Sequence, residues 1–132
     1  METKLFEKVK DFAKIFGVSA MDIANPTAIT ATDTGATTGT IPAGTKAVDI
    51  DADSDANHIV ILPAPVVGHI IFGKVDGTGC ELRSSAPATI GINGGTGASA
   101  EMALAANVPF VAICVSTTNW VVIKFTALEA AA

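Results

Sequence analysis

Phe110-Val-Ala-Ile-Cys-Val115, then Ser116-Thr-Thr-Asn119, then Trp120-Val-Val-Ile-Lys-Phe125 is the stretch that decides the fold. The first run is apolar enough for a buried strand, and the last returns with the same texture. Four turn-forming residues separate them, so the pair reads as a hairpin. Trp120 opens the return strand, where a large ring braces the turn against the sheet.

Working outward, the same alternation of short apolar runs and turns continues upstream. Strands are expected at 46–50, 58–62, 68–74, 80–84, 88–93, 109–116 and 120–126. Between them lie Asp53-Ser-Asp-Ala-Asn57, Asp76-Gly-Thr-Gly79 and Asn93-Gly-Gly-Thr-Gly97. Strands so short and so regularly spaced imply an antiparallel β-sandwich or small barrel and argue against βαβ units. Residues 98–106 read as a short helix, a loop or a strand, and 130–132 as a frayed tail.

Ahead of this body, residues 26–45 are rich in Thr, Ala and Gly and read as a linker with an edge segment. Thr favours strands, so part of it is able to pair. Residues 4–16 carry Leu5, Val9, Phe12 and Phe16 at helical spacing, flanked by Phe6, Ala13 and Ile15. Lys8, Lys10, Asp11 and Lys14 take the other side, Thr3 suits the cap and Gly17 the stop. The expected organisation is an amphipathic helix at 1–17, a linker and edge segment at 18–45 and a β domain at 46–132.

Composition sharpens this. Of 132 residues, 49% are hydrophobic and 16% charged, against about 25% charged in ordinary soluble domains. Mean hydropathy is +0.49. So few charges cannot solvate a whole surface, which implies cover by other subunits. A membrane is not the expected cover. The longest apolar stretch, 59–73, contains Pro63, Pro65 and His69 and falls short of the ~18 residues that cross a bilayer. Charges interrupt every apolar run near the N-terminus, so no secretion signal is expected. Net charge is −5, divided as +1 over residues 1–17 and −6 over the rest. An acidic body argues against nucleic acid as a partner.

The chemistry-bearing residues do not assemble into a site. Asp49, Asp51, Asp53 and Asp55 alternate, which places carboxylates on one strand face and invites calcium. The loop rule fails, with Ser54 where glycine belongs and Val60 where glutamate belongs. A solvated strand edge is the expected reading, with Val48 and Ile50 facing in. The glycines of 93–97 lack the Lys-Ser/Thr of a phosphate loop and are expected to supply a tight turn. His58 and His69 have no metal-type spacing. Ser84 or Ser85 with His69 and Asp76 has no nucleophile motif behind it. Arg83 is expected in an ion pair with Glu81 or an aspartate. Cys80 and Cys114 are expected as reduced core residues. No enzyme activity, cofactor or metal is expected.

Several strings carry a resemblance: Thr38-Gly-Thr-Ile-Pro-Ala-Gly44, Asp55-Ala-Asn-His-Ile-Val-Ile-Leu-Pro63, Gly79-Cys-Glu-Leu-Arg-Ser-Ser-Ala-Pro87, Ile92-Asn-Gly-Gly-Thr-Gly97 and the Cys114–Trp120 stretch. Over residues 38–126 the chain resembles small virion proteins of tailed bacteriophages, of the head-decoration or fibre-module kind. The resemblance implies a β-rich domain, often trimeric, on the outside of the particle. The expected function is a capsid decoration (cement) protein, with a host-binding fibre or tail module as the alternative. The expected partners are further copies of the chain and the major capsid protein. Leu5, Phe6, Val9, Phe12 and Phe16 are the residues expected to dock on the capsid.

Overall fold

The structure is a computed structural model that describes residues 25–52, 55–97 and 100–125. The helix expected at 1–17 lies outside the described residues. Nine strands make the body: β1 (Thr27–Thr30), β2 (Ala47–Asp51), β3 (Ile59–Ile61), β4 (Ile70–Val75), β5 (Cys80–Arg83), β6 (Gly91–Ile92), β7 (Glu101–Leu104), β8 (Pro109–Ser116) and β9 (Asn119–Lys124). A 3-10 turn at Thr37–Gly39 lies between β1 and β2.

Two sheets form, a six-stranded one in the order β1-β2-β4-β8-β9-β6 and a three-stranded one in the order β3-β5-β7. The mainly β, two-sheet architecture is the one expected. The pairing is mixed, however, where antiparallel strands were expected throughout. β1–β2, β2–β4, β3–β5 and β6–β9 run parallel, while β4–β8, β5–β7 and β8–β9 are antiparallel. Parallel neighbours need a long crossover, which most folds supply with a helix. For β2–β4 and β3–β5 the crossover is a strand of the other sheet. The chain passes from β2 to β3, back to β4 and again to β5, alternating sheets at each step.

The hairpin that decides the fold is present. Phe110 pairs with Lys124 and Cys114 with Trp120, and a register shift between Cys114 and Ser116 accommodates the turn. Trp120 does more than brace that turn, because it is fully buried among side chains of both sheets. Its ring lies 5.8 Å from the ring of His69. From the small sheet the core takes Val60, Cys80, Leu82 and Leu104, with Leu62 just past the end of β3, and from the large sheet Ile50, Ile71, Val75, Phe110, Ala112 and Val122. Both cysteines are free and buried, one on each sheet.

Three segments differ from their expected form. Of 88–93 only Gly91–Ile92 is strand, because Thr89 and Ile90 donate their N–H groups back to the Ala86 carbonyl and hold a turn after Pro87. Within the ambiguous 98–106, Glu101–Leu104 is a strand against β5. The Thr-rich segment contributes strand β1 and core residues Ile29, Ala31 and Ile41. Its middle also lies along β3, where Thr32 bridges Ile59 and Thr40 bridges Ile61. Those bridges cover an edge of the small sheet that would otherwise be open to foreign strands.

Candidate interaction surface

Several of the polar groups singled out in the sequence have a local structural task, and Asp53 lies outside the described residues. β2 is an interior strand between β1 and β4, so the aspartates do not line an edge as expected. Val48 and Ile50 are buried and Asp49 and Asp51 exposed, as the alternation requires. Asp49 lies opposite Lys74, whose Nζ also reaches the Asp76 carboxylate at 2.7 Å. The hydrogen bond and charge of Asp76, with help from Asp49, raise the Lys74 pKa. Asp55 accepts from the Asn57 backbone and side-chain N–H groups at 2.9 and 3.0 Å, which closes a turn. Among the described residues no group of three metal-ligating side chains converges.

Ser84, His69 and Asp76 are not brought together either. The Ser84 hydroxyl donates to the Ile90 carbonyl at 2.6 Å. His69 Nε2 meets the Thr45 carbonyl at 2.6 Å, and Asp76 holds Lys74. His58 lies 2.8 Å from Asp33. Arg83 reaches Glu81, as expected, and also Glu101 on the neighbouring strand at 2.7 Å. The 93–97 loop is a turn: Asn93, Gly94 and Gly97 all have positive φ. Asn93 also does something the sequence did not announce. Its side-chain amide donates to the Val122 carbonyl at 3.1 Å and accepts from the Val122 N–H at 2.9 Å. One side chain thereby completes the ladder of β9 where the short β6 ends.

What remains is apolar surface on the large sheet. Core-facing Ile71, Ala112 and Val122 form one row of cross-strand neighbours, so the alternate row faces outward. That row carries Ala47, Phe72, Val111 and Ile123, and the next carries Ile70, Ile113 and Val121. Most of these are half-buried, and Ile123 is exposed.

Two areas stand out at opposite ends of β4 and β8. At one end, Val66, Val67 and Val115 expose 64%, 60% and 49% of their surface. They adjoin because the Gly68 N–H donates to the Cys114 carbonyl, which sets the turn beside the end of β8. At the other end a groove of about 430 Å³ is lined by Pro26, Ala47, Phe72, Pro109, Val111 and Phe125, among others. The expected docking residues Leu5, Phe6, Val9, Phe12 and Phe16 lie outside the described residues.

No protein-family model, curated protein or solved structure matches the chain.

Proposed function

We propose that the protein is a non-enzymatic virion structural subunit that works as a homo-oligomer, best a trimer, and decorates the outside of a tailed-phage head. The observation that carries the proposal is the valine corner of Val66, Val67 and Val115, three large apolar side chains exposed side by side on a turn and a strand end. Exposed apolar clusters are costly to leave in water and mark surfaces that meet another protein. The charge content of 16% points the same way. Non-enzymatic action is supported by the engagement of Ser84, His69, Asp76 and Arg83 in bonds that hold strands and turns together. The phage assignment itself rests on the resemblance over residues 38–126.

The test is fractionation of phage particles into full heads and free tails, followed by detection of the chain in each. Presence on heads supports decoration. Presence on tails alone replaces it with a fibre or tail module, and absence from both removes the virion role.

A further inference from the structure

Ile92 and Gly95 exchange both backbone hydrogen bonds, at 3.0 and 2.9 Å, so Asn93 and Gly94 are the central pair of a two-residue turn. Both have positive φ, 52° and 84°, which such a turn demands and which Asn-Gly supplies well. The pair brings a chemistry of its own. Of the five asparagines in the sequence, only Asn93 is followed by glycine. Glycine has no side chain to hinder its nitrogen, which is able to attack the side-chain amide of the residue before it.

We propose that Asn93-Gly94 is a latent deamidation site, locked by β9 in the folded chain and released when this edge of the large sheet opens. In the reaction the Gly94 backbone nitrogen loses its proton and forms a bond to the Asn93 side-chain carbonyl carbon. The bond from that carbon to Nδ2 breaks, and ammonia leaves with the proton. The five-membered imide that remains takes up one water and reopens at either carbonyl, giving aspartate or its β-linked isomer. Water is the only co-reactant.

Lack of access does not protect the pair. Both residues are exposed, and a Cβ on Gly94 would meet nothing within 4 Å. Three hydrogen bonds to β9 do protect it. The Asn93 amide donates to the Val122 carbonyl at 3.1 Å and accepts from the Val122 N–H at 2.9 Å, which fixes its plane along the strand. The Gly94 N–H donates to Asn119 Oδ1 at 3.1 Å. Electrophile and nucleophile are thus each held by a different residue of β9. The Val122 N–H draws charge from the Asn93 carbonyl and by itself favours attack, so the lock is one of position. Asn93 must leave Val122 before its carbonyl carbon turns to the Gly94 nitrogen.

That release is local. β6 has two residues and forms the edge of the large sheet, so its pairing with β9 opens at a lower free energy than the whole fold. The product does not restore the lock. Aspartate still accepts from the Val122 N–H but has no hydrogen to give the Val122 carbonyl. The β-linked isomer adds a carbon to the main chain inside a two-residue turn. Converted chains therefore accumulate as a record of opening at this edge, whether or not the protein belongs to a virion.

The test incubates the full chain at neutral pH, native and in guanidinium chloride, and follows the peptide around residue 93 by mass spectrometry. Deamidation replaces an NH2 by an OH and changes the mass, whereas isomerisation at Asp76-Gly77 does not. The native chain should convert at least about tenfold more slowly than the unfolded one, the factor that corresponds to about 1.4 kcal/mol of local opening. Asn119→Ala frees the Gly94 N–H and leaves Asn93-Gly94 intact. Its folded form, checked by circular dichroism, should convert faster than wild type, while Asn119→Asp, which still accepts from Gly94, should not. Native and unfolded chains that convert at one rate overturn the lock. An unfolded chain that does not convert at residue 93 overturns the site, and a folded Asn119→Ala chain that converts at the wild-type rate overturns the part given to Asn119.

Discussion

Asn93 and Gly73 show how much a single residue decides. The Asn93 side chain satisfies both backbone groups of Val122 while its own backbone sits at φ 52°. Asn tolerates that left-handed conformation better than most residues. Asn93→Ala therefore removes two hydrogen bonds, strands a half-buried N–H and carbonyl, and strains the turn. A loss of about 1–3 kcal/mol is expected in urea unfolding, and Asn93→Asp should recover part of it by still accepting from Val122. Gly73 is constrained by space. A Cβ there would lie 2.5 Å from the Phe110 ring and 2.7 Å from Val48. Gly73→Ala should cost on the order of 1–3 kcal/mol through overpacking, and Phe110→Leu in the same chain should return part of it.

Cys80 adds a pH dependence at the same scale. Burial, with a smaller contribution from Glu81, pushes its thiol from 9.0 to about 12. The neutral thiol is thus favoured in the folded state. Its stabilisation is whole below pH 9, where both states hold the proton. It is lost as pH rises from 9 toward 12, because the unfolded chain then binds fewer protons. Unfolding midpoints measured across this window should fall, and Cys80→Ala should fall less steeply from a lower starting stability. Native protein at neutral pH should resist alkylation at both cysteines.

At the scale of elements, legibility follows sequence distance. β8 and β9 were plain because the hairpin is local: two apolar runs and four turn residues define it without reference to anything else. The parallel pairings were not, because β2 finds β4 only after the chain has crossed to the other sheet and back. Period-2 alternation shows which face of a strand is apolar and says nothing about which strand lies beside it. The missed role of Asn93 has the same cause, as its partner Val122 is distant in sequence. The apolar outer face was half legible. Phe110-Val-Ala-Ile-Cys-Val115 carries no polar alternation, which signals apolar residues on both faces. A run like that reads as fully buried, yet the structure exposes Val115 and half-buries Val111 and Ile113. The sheet order also sets an order of protection. β4 and β8 lie inside the large sheet, whereas β1 and β6 are its edges. Native-state hydrogen exchange should be slowest in β4 and β8 and fastest in β1, and equal protection across the sheet would contradict the order.

For the whole molecule the decisive quantity is how much apolar surface neighbouring chains cover. The valine corner sits on a turn and a strand end, and its three valines expose about half or more of their surface. Full burial of one such side chain contributes about 1.5–3 kcal/mol, so three from each subunit are enough to matter in association. Light scattering of the full chain at micromolar concentration should therefore report more than one subunit. Val66→Asp with Val67→Asp is the informative variant. Both side chains point largely into solvent, so the fold should survive with its strand circular dichroism unchanged. Each carboxylate would have to be desolvated at the interface, which strongly opposes association. The expected outcome is a folded monomer that no longer binds heads stripped of the native protein. A variant that stays oligomeric would move the subunit interface away from this corner, and a wild-type chain that scatters as a monomer would remove the homo-oligomer itself.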